Sequence, residues 1–213
     1  MTKVLLIRHG ESEANLRDVF AGHYNPDLTE RGREQAACTA AFLQEKYTVD
    51  AIYSSDLRRA CQTAKPIADT FDLPIIPDKE MREIFAGDWE GVPFYGIKDT
   101  HPQAFHIWLT DLGNAVCPNG ESVAELFERV YKAVTRIAAE NDGKTVVITT
   151  HATPIRALQC RFSGKPVTAI QHIAWVSNAS VTEIDYENGQ FTLVNIGQDA
   201  HLAEMRTTLP DDV

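Results

Sequence analysis

Long hydrophobic runs are missing from this 213-residue chain. The apolar stretch Val4 to Ile7 is far too short for the core of a signal peptide, and no later run approaches the roughly 20 residues that a membrane-spanning helix needs. The expectation is a cytoplasmic protein with no membrane partner. Cysteine is scarce as well. Cys38, Cys61, Cys117 and Cys160 are dispersed, with no Cys-x-x-Cys and no histidine at metal-ligand spacing. That pattern argues against a zinc site or a disulfide framework and for reduced thiols. Positive charge is also short, with 20 Lys and Arg against 30 Asp and Glu and a formal net charge of -10. Nucleic acid and anionic membranes are poor main partners for such a chain, because both require a basic surplus on one face. No internal repeat, linker or low-complexity tract occurs, so residues 1–213 are expected to form a single domain. Apolar residues make up 44% and charged residues 23%, a composition that suits a globular core.

What is present is organised around Lys3-Val4-Leu5-Leu6-Ile7, followed at once by Arg8-His9-Gly10-Glu11-Ser12. A short branched run closed by a charged, glycine-containing loop predicts a buried strand that ends in a site. Phe20 to Asp27 is turn-rich and predicts a flap beside it. Thr29 caps a predicted helix running to Glu45, and Asp50 to Ser54 reads as a second buried strand. A further helix is predicted from Arg58 towards Phe71, with Pro66 expected to kink or reset it. Leu73 to Pro77 carries prolines at both ends, which places it at a sheet edge, where it could pair between subunits of a homodimer.

Met81 to Cys117 reads as loop plus short helices over the sheet, with residues 92–118 as a small cap insertion. Ser122 and Glu125 form a capping box for a helix whose stripe runs from Val123 to Ala138, ended by Gly143. Thr145 to Thr149 is a strong buried strand that delivers His151, and Thr153 as N-cap with Pro154 behind it would start the helix Ile155 to Phe162. Asn188-Gly189 marks a hairpin, and His201 to Val213 reads as a loosely held tail. The fold class is therefore α/β in three layers, a mostly parallel sheet with helices on both faces and an antiparallel edge hairpin.

Three of these strands lead into Arg8-His9, Arg59 and His151. In a parallel sheet their carboxyl ends share one rim, where open α/β sheets bind ligands. Two guanidiniums and two imidazoles around one point suit a tetrahedral dianion, because arginine grips phosphate oxygens through forked, charge-assisted hydrogen bonds. The natural partner is a small phosphorylated metabolite.

Leu-Ile-Arg-His-Gly-Glu-Ser at the start, Leu-Thr-Glu-Arg-Gly from Leu28, Ser-Ser-Asp-Leu-Arg-Arg-Ala from Ser54, Arg-Glu-Ile with Gly-Asp-Trp-Glu-Gly from Arg82, Gly-Glu-Ser from Gly120 and the strand ending in His151 together resemble the histidine phosphatase superfamily, the phosphoglycerate mutase-like family. The resemblance runs from Lys3 to about Asp185 and is specific because the motifs occur in the family's order. It implies that His9 is the nucleophile that becomes phosphohistidine, that Arg8 and Arg59 clamp the phosphoryl oxygens, and that His151 is a fourth phosphate ligand. It further implies Glu83 as general acid, ahead of the neighbouring Glu80, Asp88 and Glu90, and Asn15, Gly22 and the backbone of Ala152 as substrate contacts. Arg59 rather than Arg58 fits the family's Leu-x-Arg-Ala. Two positions depart from the pattern: Ala152 stands where glycine is common, and Asn25 where aspartate is frequent.

The expected activity is hydrolysis of small phosphate monoesters, with no metal or other cofactor implied. The alternatives are a cofactor-dependent phosphoglycerate mutase, disfavoured because the mutases carry a longer insertion between the positions of Glu83 and His151, and a non-catalytic phosphate-binding regulatory module, disfavoured because the whole cage is present. Phe94, Tyr95, Phe105 and Trp108 either line a pocket for the organic part of the ester or form a core of their own.

Overall fold

The computed structural model describes residues 1–207. In chain order the elements are β1 (Thr2–Arg8), α1 (Glu13–Leu16), α2 (Glu30–Lys46), β2 (Ala51–Ser54), α3 (Arg58–Phe71), β3 (Ile75–Pro77), α4 (Ile97–Thr100), α5 (Pro102–Thr110), α6 (Val123–Glu140), β4 (Thr145–Thr150), α7 (Ala152–Phe162), β5 (Val181–Glu187) and β6 (Gln190–Gln198). Short 3-10 turns fill much of the stretch between β3 and α6. The strands form one sheet in the order β3-β2-β4-β1-β5-β6. The first four run parallel, and β5 and β6 are antiparallel additions.

Alternation along the buried strands sends side chains to two cores, as the period of two requires. Leu5, Ile7, Ile52 and Val147 pack with Ala40 and Leu43 of α2 and Ala64 and Ile67 of α3. Val4, Leu6, Val146 and Ile148 pack on the opposite face with Val130 and Val134 of α6 and Ile155 and Leu158 of α7. Helices thus cover both faces, and the expected three layers are present.

Most boundaries fall where the sequence puts them. Thr29 caps α2 by accepting from Gly32 N, and Ser122 with Glu125 forms the capping box of α6. Asn188 and Gly189 both have positive φ, the signature of a type I′ hairpin turn. β3 is an edge strand, as its prolines require.

Four expectations are corrected. Pro66 lies inside a continuous α3, because the buried stripe of Ala60, Ala64, Ile67 and Ala68 on both sides of it holds the helix against the sheet and α2. The helix α6 ends at Glu140 with Asn141 as its C-cap, and Gly143 (φ 77°) lies in the turn beyond. The N-cap of α7 is His151 rather than Thr153, so Ala152, Thr153 and Pro154 already form its first turn. Residues 201–207 are not loose: Leu202 is buried, His201 stacks on Phe42, Gln35 donates to Met205 O, and Thr207 donates to Asn178. The remainder of the expected tail, 208–213, lies outside the described residues.

Candidate active site

The parallel strands β2, β4 and β1 are neighbours, and their carboxyl ends deliver the expected residues to one rim. His9 follows β1, Arg59 lies in the first turn of α3 after β2, and His151 caps α7 directly after β4. The turn at His9 is tight. A Cβ on Gly10 would lie 2.3 Å from Gly32 O, and one on Gly32 would lie 2.0 Å from Glu11 O, so only a glycine on each side lets the amino end of α2 close on this loop. Thr63 Oγ1 accepts from Gly10 N, and Asn178 Nδ2 donates to His9 O, which fixes the backbone on both sides of the imidazole.

His9 Nδ1 is 2.7 Å from Gly10 O, so Nδ1 carries the proton and donates it there. That leaves a lone pair on Nε2, which accepts from Arg59 Nε at 3.2 Å. Burial, reinforced by the charges of Arg59 and Arg8, holds the His9 imidazole well below its ordinary value, so the ring is neutral. His151 packs edge-on against His9 with ring centroids 5.2 Å apart, and its Nε2 meets Ser55 Oγ at 2.8 Å. Its titration is pushed well down for the same reason, burial first and Arg59 second.

Both guanidiniums are buried and neither has a carboxylate ion-pair partner among the described residues. Arg8 donates Nη1 to Val176 O at 2.6 Å, and its buried Nε has no protein partner. Arg59 spends Nη1 on Tyr24 O and Nη2 on Gly22 O, which ties down the loop after α1. Burial lowers both to about 10, which leaves them charged at neutral pH. Two buried cations with no carboxylate at ion-pair distance, only the more distant charge of Glu83 acting on both, are costly, and an incoming dianion supplies a closer partner.

Glu83 sits on the loop after β3, and its carboxylate accepts from Ile84 N (2.8 Å) and from Thr153 N (3.3 Å) in the first turn of α7. Two ion pairs bracket this loop. Arg82 forms a bidentate pair with Asp56 at 2.5 Å on both arms. On the other side Arg129 pairs with both oxygens of Glu121 at 2.8 Å and donates to the carbonyls of Glu80, Arg82 and Glu83. His23 Nε2 also meets Glu83 O, at 2.9 Å.

A cleft of about 160 Å³ is lined by seven of the eight expected site residues. Arg8, His9, Arg59 and Glu83 line it together with Asn15, Gly22 and Ala152. His151 is the exception: it is fully buried behind the lining and reaches the site through its contact with the His9 ring. Asn15 commits its carbonyl oxygen to Ser12 and Asn178, so its amide group is what remains for a ligand. Gly22 turns its carbonyl to Arg59 and needs glycine, since φ is 49° and a Cβ would meet that of Ala86 at 2.5 Å. Ala152 lies in the first turn of α7, where backbone N–H groups have no intrahelical acceptor. Of the middle aromatics, Phe94 and Trp108 line the cleft, Phe105 is core and Tyr95 is exposed. Among the described residues no group of three or more His, Cys, Asp or Glu side chains is placed to hold a metal ion, and no helix is long and apolar enough to cross a membrane.

Residues 4–199 match the histidine phosphatase superfamily (branch 1). The chain belongs to this superfamily. Phosphoserine phosphatase 1 of Hydrogenobacter thermophilus is 31% identical over 204 residues, 96% of either chain. The adenosylcobalamin/alpha-ribazole phosphatase of Salmonella typhimurium is 31% identical over 193 residues, 90% of this chain and 94% of its own. Among solved structures, Bacillus stearothermophilus YhfR superposes with a TM-score of 0.91 at 31% identity, covering 95% of this chain and all of that one. As a histidine phosphatase the protein is a phosphoric monoester hydrolase with the phosphoglycerate mutase-like fold.

Several residues around the histidine phosphatase site escaped the sequence reading. Ser55 and Glu121 stand inside motifs that were recognised, yet nothing in the spacing says that one meets His151 and the other Arg129. Asn178 and Trp175 come from a stretch with no motif at all, and only the chain's return to β5 beside β1 brings them to the rim.

Proposed function

We propose that the protein hydrolyses small phosphate monoesters through a phosphohistidine on His9, with Glu83 as general acid and base. The ester's dianion is received by Arg8 and Arg59, and the Nε–H that Arg59 gives His9 passes to a phosphoryl oxygen, freeing the imidazole lone pair. His9 Nε2 attacks phosphorus, the P–O bond to the alcohol breaks, and Glu83, which enters this step protonated, gives that departing oxygen its proton and is left as a carboxylate. Water then attacks the phosphorus, the Glu83 carboxylate takes one of its protons, the P–N bond breaks, and neutral His9 and inorganic phosphate result. His151, held by Ser55, supports the His9 ring from behind the lining. The amide of Asn15 and the N–H of Ala152 receive remaining oxygens, Gly22 holds the Arg59 clamp, and residues 92–118 act as a cap.

One observation carries this reading: a neutral imidazole with its tautomer pinned by Gly10 O, beside two buried cations that have no carboxylate at ion-pair distance among the described residues. Small esters as substrates are supported by relatives named phosphoserine phosphatase and adenosylcobalamin/alpha-ribazole phosphatase. The test is release of inorganic phosphate from p-nitrophenyl phosphate in the presence of EDTA. The wild type turns over, and His9→Ala loses at least about 10⁴-fold in kcat with its circular dichroism unchanged. A His9→Ala variant that keeps its rate would overturn the proposal.

A further inference from the structure

Part of the lining of the cleft is apolar, and the hydrolase reading above gives it a meaning. Val19, Phe20 and Ala21 from the loop after α1, Phe94 and Trp108 from residues 92–118, and Trp175 ahead of β5 form it. These rings brace one another. Phe20 meets Trp108 edge-on at 5.0 Å and stacks on Phe94 at 6.1 Å. Trp175 is braced by Arg156, whose guanidinium lies 4.0 Å from the ring centroid while donating to Ile170 O and Ile173 O. Arg156 is itself buried, so its charge is used against that ring and not in the cleft.

Once Arg8, Arg59 and Glu83 are engaged by the phosphoryl group, the described lining residues carry no further formal charge. Apart from His9, the polar groups left on side chains are those of Asn15 and Thr153 and the indole N–H groups of Trp108 and Trp175. A leaving group bearing a carboxylate or an ammonium would lose hydration against aromatic carbon and meet no counter-charge. An uncharged, flat body would instead bury apolar area and gain ring-edge contacts.

We propose that the preferred substrates are phosphate monoesters whose alcohol carries an uncharged aromatic or heteroaromatic body, seated against Phe94, Trp108 and Trp175. The proposal sets this cleft apart from one built for phosphoserine, the substrate named for a relative of similar length.

The test compares kcat/KM for 2-phenylethyl phosphate, propyl phosphate, phosphoethanolamine and phosphoserine. All four are esters of primary alcohols, and the ammonium groups make the charged pair intrinsically easier to cleave, so the chemical bias runs against the proposal. The expected result is a preference of roughly tenfold or more for 2-phenylethyl phosphate over phosphoserine, with propyl phosphate between them. Trp175→Ala and, separately, Phe94→Ala should each cut that ratio by roughly fivefold. Phosphoserine turned over as well as or better than 2-phenylethyl phosphate would overturn this inference and leave the hydrolase standing, as would a ratio untouched in both variants. No turnover of any ester, p-nitrophenyl phosphate included, would instead remove the hydrolase reading beneath it.

Discussion

Two parts of the cleft lining are made in different ways. The lining from Arg8, His9, Arg59 and Glu83 grows from the ends of β1, β2 and β4, where Arg8 pairs with Thr150 and Ser54 with Thr149, and from a loop clamped by two ion pairs. The lining from Phe20, Phe94, Trp108 and Trp175 comes from loops and short helices, the first three held by ring-on-ring packing and Trp175 by the Arg156 guanidinium. The proposed reacting groups are thus tied to the ends of the sheet and to a clamped loop, and the proposed seat of the organic part of the ester to loops and short helices. Chemistry and selectivity can be changed separately in such a design.

The first way to test that separation is to change the acid alone. Glu83→Gln keeps the shape and its acceptor oxygen but cannot give up a proton, so kcat should fall about 10²- to 10⁴-fold for alkyl phosphates. The loss should be far smaller for p-nitrophenyl phosphate, whose leaving group needs no proton. Equal losses on both esters, measured by steady-state kinetics, would show that Glu83 acts some other way.

A smaller effect is expected from the clamp. Arg129→Met removes the pair with Glu121 and three carbonyl contacts of the Glu83 loop without touching substrate. Misplacing the acid by a fraction of an ångström should lower kcat by about 10- to 100-fold, with KM little changed. Here too the deficit should shrink for p-nitrophenyl phosphate, a split that a general loss of stability would not produce.

The smallest effect separates the two parts by titration, since only one of them holds buried imidazoles. His9 and His151 stay neutral in the folded state, while in the unfolded chain they gain protons below about pH 6.5. The unfolded state then binds more protons, so this stability is present above pH 6.5 and is lost as pH falls. Each imidazole costs up to about 2 kcal/mol between pH 6.5 and 5. Tm by calorimetry should drop over that interval, and added inorganic phosphate should raise it at pH 7. A flat Tm would show that the two rings titrate as they do in the unfolded chain.

How far the sequence could be read follows the same division. β1, β4 and their histidines were legible because a buried parallel strand is a short apolar run and its carboxyl end is its site. Arg59 and Glu83 were legible from motif context, although what fixes Glu83, the pairs Arg82–Asp56 and Arg129–Glu121, joins residues far apart in the chain. Pro66 misled because local propensity cannot weigh the packing that carries α3 through it. Thr153 misled because a good N-cap residue was read where the strand hands over directly to the helix at His151. In the apolar lining, composition offered a choice for four aromatics. Only tertiary packing divides Phe94 and Trp108, which meet the cleft, from Phe105 and Tyr95, which do not, and it adds Trp175, which had no sequence signal.

The most direct measurement is to mix enzyme with excess ester, quench within the first turnover in alkaline denaturant, and map the phosphorylated peptide by mass spectrometry. The account predicts one phosphoryl group on His9, stable in alkali and lost in acid, and none in His9→Ala. A full burst of alcohol release with no phosphoenzyme, or a phosphoryl group on His151 instead, would contradict it.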